Sequence, residues 1–269
     1  MTPDPASPRA AVPVPAGLVG RLRAAGCVFA EDEARLLAET ARTSAELDAL
    51  AARRIAGEPL EQVLGWAEFH GLRIAVDAGV FVPRRRTEFL VEQAAALAPP
   101  RAVVLDLCCG SGALGTALAA LLDGPEVHAA DLDPAAVRCA RRNLAGVGGH
   151  VHQGDLYRAL PDVLRGRVDV VVANVPYVPT GEVGLLPSEA RDHEPLLALD
   201  GGADGLDVLR RVADGAPEWL APGGGLLVET SERQAPAAVA AFSAAGLTTR
   251  PVWSDEWHAT VIVGLRDAD

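Results

Sequence analysis

One stretch limits the choice of fold more than any other: Val168-Asp169-Val170-Val171-Val172-Ala173, running into Asn174-Val175-Pro176-Tyr177. After Asp169 the run is apolar and mostly β-branched, and it stops at a polar residue with a proline two places on. A short Val-rich run bounded by a turn signal reads as a buried strand of a parallel sheet. Open α/β sheets place their ligand sites at the carboxyl ends of such strands. The residues there are a primary amide, main-chain carbonyls and an aromatic ring. That set can hold a planar NH2 group by its protons and pack on its face; a plain strand-to-loop turn with a packed Tyr is the simpler alternative.

The 269-residue chain fits one large or two modest domains. No apolar run approaches a membrane span, and Met1 to Gly17 lacks a basic-then-apolar leader pattern, so a cytoplasmic location is expected. The first 16 residues, rich in Pro and Ala, are expected to be disordered. The net charge of −12 argues against direct binding to nucleic acid through phosphates. Every basic position is arginine, so lysine chemistry is excluded: no Walker lysine, no Schiff base, no lysine general base. Cys27, Cys108, Cys109 and Cys139 lack metal-site spacing, and no metal is expected.

Taken in order, residues 17–66 read as amphipathic helices forming a small N-terminal domain that contacts substrate. Residues 67–82 alternate loosely around Gly71 and Gly79 and suggest a β-hairpin linker. The catalytic domain is expected over residues 83–269. It opens with Pro83-Arg84-Arg85-Arg86-Thr87-Glu88, which starts a helix. A strand at Ala102–Leu105 leads into Asp106-Leu107-Cys108-Cys109-Gly110-Ser111-Gly112 and a helix. With Gly115 this completes G-x-G-x-x-G, a weak signal alone. A second strand ends in Asp131, about 20 residues past the turn, where a carboxylate meets ribose hydroxyls. His150 to Gln153 is a third strand leading to Asp155-Leu156, with Asp155 placed to take an exocyclic adenine amine. His150 and His152 share a strand face, and edge histidines are a simpler reading than a metal pair. A long turn-rich segment follows Tyr177. Alternating helices and strands then close the sheet, with two terminal strands joined by a short loop. The order argues for a doubly wound, mostly parallel sheet with an antiparallel edge. A dinucleotide dehydrogenase shares the early part, but the Asn-Val-Pro-Tyr end has no evident role in hydride transfer.

Together, Asp106-Leu107-x-x-Gly110-Ser111-Gly112, Asp131, Asp155 and Asn174-x-Pro176-Tyr177 resemble class I S-adenosylmethionine-dependent methyltransferases acting on planar nitrogens. More narrowly, the chain resembles the protein N5-glutamine methyltransferases that modify release factors or a ribosomal protein. Gly57-Glu58-Pro59-Leu60, Glu68-Phe69-x-Gly71-Leu72, Val82-Pro83-Arg84-x-x-Thr87-Glu88, Glu194-Pro195 and Trp219-Leu220-x-Pro222-Gly223-Gly224 extend the match. The resemblance implies a Rossmann-like seven-stranded, mostly parallel sheet with an N-terminal helical domain, and S-adenosyl-L-methionine as cofactor. It departs at three positions. Val175 replaces the first proline of Asn-Pro-Pro-Tyr, Cys108 replaces the first turn glycine, and Arg86 replaces an acidic residue.

By that resemblance Asp131 binds the ribose hydroxyls. The turn from Cys108 through Gly110, Ser111 and Gly112, following Asp106, runs along the methionine part, and Asp155 with Leu156 borders the adenine. Asn174 also faces the cofactor. Asn174 and the Val175 carbonyl would accept the two protons of a glutamine amide, with Pro176 shaping the turn and Tyr177 packing on the amide plane. The expected partner is a protein, either a release factor or a ribosomal protein. A nucleic-acid or small-molecule amine acceptor, or a non-catalytic cofactor-binding module, remains as an alternative.

Overall fold

A computed structural model describes residues 12–268. Most of the expected disordered segment thus lies outside the described residues. Of the remainder, the Val12 amide donates to the Ala38 carbonyl at 3.2 Å, so at least one residue assigned to the tail lies against the helical unit.

Four helices come first: α1 (Leu18–Ala24), α2 (Ala30–Thr40), α3 (Ser44–Ile55) and α4 (Leu60–Leu64). Their apolar stripes bury Leu22, Leu37, Leu47 and Ala51 in a core of their own. Thr43 caps α3, its hydroxyl accepting the Glu46 amide. The hairpin that follows is shorter than expected, pairing β1 (Trp66–Phe69) with β2 (Leu72–Ala75). Residues 76–82 do not continue it. Val76, Val80 and Val82 turn inward instead, onto Cys139, so their loose alternation records burial without strand pairing.

The larger unit is a seven-stranded sheet. Its strands are β3 (Val103–Leu107), β4 (Glu126–Asp131), β5 (His150–Gln153), β6 (Val168–Ala173), β7 (Leu220–Thr230), β8 (Thr248–Ser254) and β9 (Ala259–Leu265). They lie in the order β5-β4-β3-β6-β7-β9-β8. All neighbours are parallel except those of β9, which runs antiparallel to β7 and β8. The helices α5 (Glu88–Leu97), α6 (Ala113–Leu121), α7 (Pro134–Leu144), α8 (Ser188–His193), α9 (Leu196–Leu199), α10 (Asp207–Trp219) and α11 (Ala235–Ala244) connect the strands. Separate apolar clusters form on the two faces of the sheet, and this is why β3 and β6 are apolar on both sides. The strand order reverses between β3 and β6, where an open α/β sheet leaves a crevice at its carboxyl ends.

Two features at the end of β3 prepare that crevice. The first is Asp106, 1 % exposed within the strand, whose Oδ2 accepts the Gly115 amide at 2.9 Å. Its Oδ1 has no partner among the described residues. Burial pushes this carboxyl up to about 8, the Gly115 amide pulling it back and the Asp131 charge adding to it. The second is Cys108, which turns the chain with φ of 56°, in the left-handed region that favours glycine.

Each feature has a measurable consequence. An unfolded chain loses the Asp106 proton near its ordinary pKa of about 4, whereas the native protein holds it to about 8. The folded state therefore binds more protons in that window, and Asp106 makes stability fall as pH rises through it. In denaturation at about pH 5 and about pH 8, Asp106→Asn should gain on the unmutated protein at the higher pH; identical shifts would refute this. Cys108→Val should lose about 2 kcal/mol, because a β-branched side chain is strained at that φ. Cys108→Gly should stay within about 1 kcal/mol, relief of strain offsetting lost burial and a freer unfolded chain.

Candidate active site

The cleft over the carboxyl ends of β3, β4 and β6 gathers most of the residues singled out in the sequence. Cys108, Gly110, Ser111, Asp131, Asp155, Leu156, Asn174 and Pro176 all line it. Asp106, Gly112, Val175 and Tyr177 do not. Asp106 sits beneath the turn, and Val175 is 1 % exposed in the core. Gly112 caps α6 at φ 76°; a Cβ there would lie 3.0 Å from the Ala140 methyl, so only glycine lets α6 and α7 pack this closely.

The turn is held to β4 by Asp131. Its Oδ2 accepts the Gly110 amide at 2.8 Å, and its Oδ1 accepts the Asp133 amide at 2.9 Å. Burial raises the Asp131 carboxyl above the usual range, opposed by these amides. The thiols of Cys108 and Cys109 are pushed up, first by burial and then by the charges of Asp106 and Asp131. The head of a helix can lower a thiol pKa; burial beside two carboxylates does the reverse at the head of α6.

Asp155 is paired: its oxygens take Arg211 Nη2 at 2.7 and 2.6 Å. Arg211 stands on α10, 56 residues downstream, and no sequence pattern announces it. Thr87 was also missed as a site residue. It is 1 % exposed, lines the cleft, and its hydroxyl receives Asn174 Nδ2 at 3.4 Å.

The loop after Tyr177 props the Asn-Val-Pro-Tyr backbone from behind. Gln234 Nε2 donates to both the Tyr177 and Asp204 carbonyls at 2.9 Å. Gly205, at φ 77°, passes so close that a Cβ would fall 2.2 Å from the Tyr177 oxygen. In front, the Pro83–Glu88 segment is clamped by Glu194, whose carboxylate accepts the Val82 amide at 3.1 Å and Arg84 Nη2 at 2.5 Å. The Tyr177 hydroxyl receives Arg86 Nη2, while Arg86 Nε reaches Glu229 Oε1 at 3.0 Å. Tyr177 therefore faces Arg86 on the far side of the motif from the cleft. Asn174 Oδ1 and the Val175 carbonyl accept no hydrogen bond from the described residues.

Away from the cleft, His128 joins the two β5 histidines. Its Nδ1 lies 3.1 Å from His152 Nε2, and its ring stacks on His150 at 5.0 Å. Parallel register brings this third histidine over from β4. No group able to hold a metal ion occurs among the described residues.

The chemistry of the cleft suits S-adenosylmethionine. Its charged lining comprises Asp131, Asp133, Asp155, Asp200 and a single arginine, Arg211, already claimed by Asp155. Such a surface repels the pyrophosphate of a dinucleotide and favours a cofactor carrying a sulfonium and an ammonium. Leu132, Ala136, Leu156 and Val208 supply apolar walls for a flat ring. A Cβ at Gly110 would meet nothing within 4 Å, so the turn leaves room for a ligand against its backbone.

The family model of the methyltransferase small domain matches residues 71–185. A release factor glutamine methyltransferase of Geobacter sulfurreducens is 43 % identical over 199 residues, 73 % of this chain and 69 % of that protein. A 4-amino-L-phenylalanine/4-methylamino-L-phenylalanine methyltransferase of Streptomyces pristinaespiralis is 39 % identical over 76 % of this chain and 73 % of its own length. Among solved structures, a methyltransferase from Pyrococcus furiosus shares the fold with a TM-score of 0.56, at 15 % identity over 73 % of this chain and 90 % of that one. No helix among the described residues is long and apolar enough to cross a membrane. Sequence similarity, sheet order and the chemistry of the cleft agree: the chain belongs to the release factor glutamine methyltransferase family, S-adenosylmethionine-dependent enzymes of the class I fold.

Proposed function

We propose that this chain methylates the side-chain amide nitrogen of a glutamine in a protein, a peptide chain release factor being the acceptor that its relatives' name supplies. The supporting observation is the pair of unclaimed acceptors at the end of β6, Asn174 Oδ1 and the Val175 carbonyl. A primary amide offers two N–H protons in one plane and a delocalised, poorly nucleophilic lone pair. Two fixed acceptors can take both protons, orient the nitrogen and favour the positive charge that grows on it. S-adenosylmethionine supplies an electrophilic methyl group whose bond to sulfur breaks as the bond to nitrogen forms. The displaced amide proton passes to solvent, so Asn174 acts by position and charge, and a strong base is not needed.

In this reading Asp131 carries the ribose hydroxyls, Asp155 and Leu156 flank the adenine, and the turn from Cys108 to Gly112 borders the methionine part. Thr87 holds Asn174, and Gln234 with Gly205 fixes the motif's backbone. Val175 can serve only through its carbonyl, which lies at the edge of the core, the residue as a whole being 1 % exposed. The N-terminal helices provide the protein-contacting surface. A ribosomal protein is the second acceptor in this class.

The test is incubation with labelled S-adenosylmethionine and a release factor or ribosomal proteins, followed by mass spectrometry of the labelled peptide. Label on a glutamine amide is expected; label on a nucleic-acid base, or none on protein, would overturn the assignment. Asn174→Ala should lower turnover about 100-fold or more, the loss seen when one preorganised polar group is removed. Cofactor affinity should change less than about threefold, since Asn174 supplies no charge to the cofactor. Asp131→Ala should instead weaken cofactor binding by about 10-fold or more, the worth of hydrogen bonds to a charged group.

A further inference from the structure

A second cavity, of about 430 Å³, opens on the other side of Tyr177, between Arg86, the end of β7 and the tip of the β8–β9 hairpin. It shares no lining residue with the cofactor cleft but adjoins it directly. Thr87 and Pro176 line one, and their chain neighbours Arg86 and Tyr177 line the other. Its innermost charge is Glu229, 2 % exposed, with Oε1 bound to Arg86 and Oε2 without a partner among the described residues. A buried carboxylate with one oxygen unmatched is costly in a purely structural role. Arg86 is its cation, yet that side chain remains 46 % exposed and also reaches the Tyr177 hydroxyl. Glu232 and Asp255 stand at the exposed rim.

The arginine is itself a departure of this chain, standing where the resemblance leads one to expect an acid. An acid at position 86 would repel Glu229; arginine converts the same pair of positions into a plus–minus doublet. Peptide-bound glutamine presents neutral amides on both sides and has no use for such a doublet. A free α-amino acid carries the complementary pair, one carboxylate and one ammonium, on a single carbon.

We propose that this cavity is a subsite for the zwitterionic head of a free α-amino acid whose side chain ends in a planar nitrogen, an arylamine or carboxamide. The carboxylate pairs with Arg86, a fork suited to bidentate binding. The ammonium pairs with Glu229 as the guanidinium turns outward, so one internal ion pair becomes two intermolecular ones. The rim carboxylates of Glu232 and Asp255 draw the ammonium in, weakly because they are solvated. The side chain passes Tyr177 to present its nitrogen at Asn174, giving the enzyme a further activity on small acceptors. There the methyl moves from sulfonium to nitrogen, the carbon–sulfur bond breaking, and the nitrogen's proton leaves to water. The inference rests on the reading of Asn174 as the place where the acceptor nitrogen is held.

Calorimetric titration in the presence of S-adenosylhomocysteine tests the subsite without requiring turnover. The probes are 4-amino-L-phenylalanine, its N-acetyl derivative and its carboxamide. The free amino acid should bind about tenfold or more tighter than either blocked form, the worth of one charge-assisted hydrogen bond. In Arg86→Gln/Glu229→Gln, which removes both charges and leaves no buried ion alone, the three probes should converge to within about threefold. S-adenosylhomocysteine affinity should be unchanged. Asn174→Ala should keep the preference for the free head, which separates this subsite from the methyl-transfer reading. Equal binding of free and blocked probes, or a preference that survives in the double variant, overturns the proposal. If a release-factor glutamine is labelled while the free amino acid fails to bind, the subsite falls and the protein activity stands.

Discussion

Parallel pairing of β3 with β6 is the constraint on which the rest of the molecule depends. Residues Val104 to Leu107 lie beside Val170 to Ala173 in register, so both strands end at the same level. That single alignment sets the Cys108–Gly112 turn and the Asn174–Tyr177 segment side by side across the switch point. A shift by one residue would exchange every side chain between the two apolar clusters, and both strands are buried on both faces. The hydrophobic core thereby fixes the geometry of the polar site that stands at its strand ends.

The polar site resolves into two levels of support. Hydrogen bonds of shorter reach shape the cofactor side: Asp131 gathers the amide of Asp133, two residues on, and that of Gly110, 21 residues back. The acceptor side depends on distant chain: Glu194 clamps Val82 and Arg84 from 110 residues or more away, and Glu229 anchors Arg86 from 143. Three segments with little regular structure are thereby tied around one strand end, and this lets polar loops carry a fixed geometry.

This division also decides what could be read from the sequence. The β6 run, the glycine turn, the carboxylate after β4 and the antiparallel final pair are local patterns, and they appear where periodicity and turn chemistry put them. Thr87, Arg211 and Glu229 stayed hidden because register and crossover bring them to the site and their own neighbours in sequence do not. His128 is similar: beside its own strand neighbours it is one histidine, while beside β5 it is the third of a stack. Residues 76–82 misled because alternation marks burial on one side, and a chain lying over α7 meets that condition without pairing. At the Cys108 turn local sequence and fold pull apart, since the head of a helix lowers a thiol pKa while burial beside two carboxylates raises it.

The bridge from Gln234 to the Tyr177 and Asp204 carbonyls has a bearing on how the site comes into being. The half of the cleft built around Asp131 and Asp155 draws its residues from the first 160, apart from Val208 and Arg211 on α10. The shelf that offers Asn174 and Val175 is braced only when residue 234 has been made and packed. On a growing chain the two halves of the active site therefore mature at different lengths, and the arrangement for orienting an acceptor is finished last.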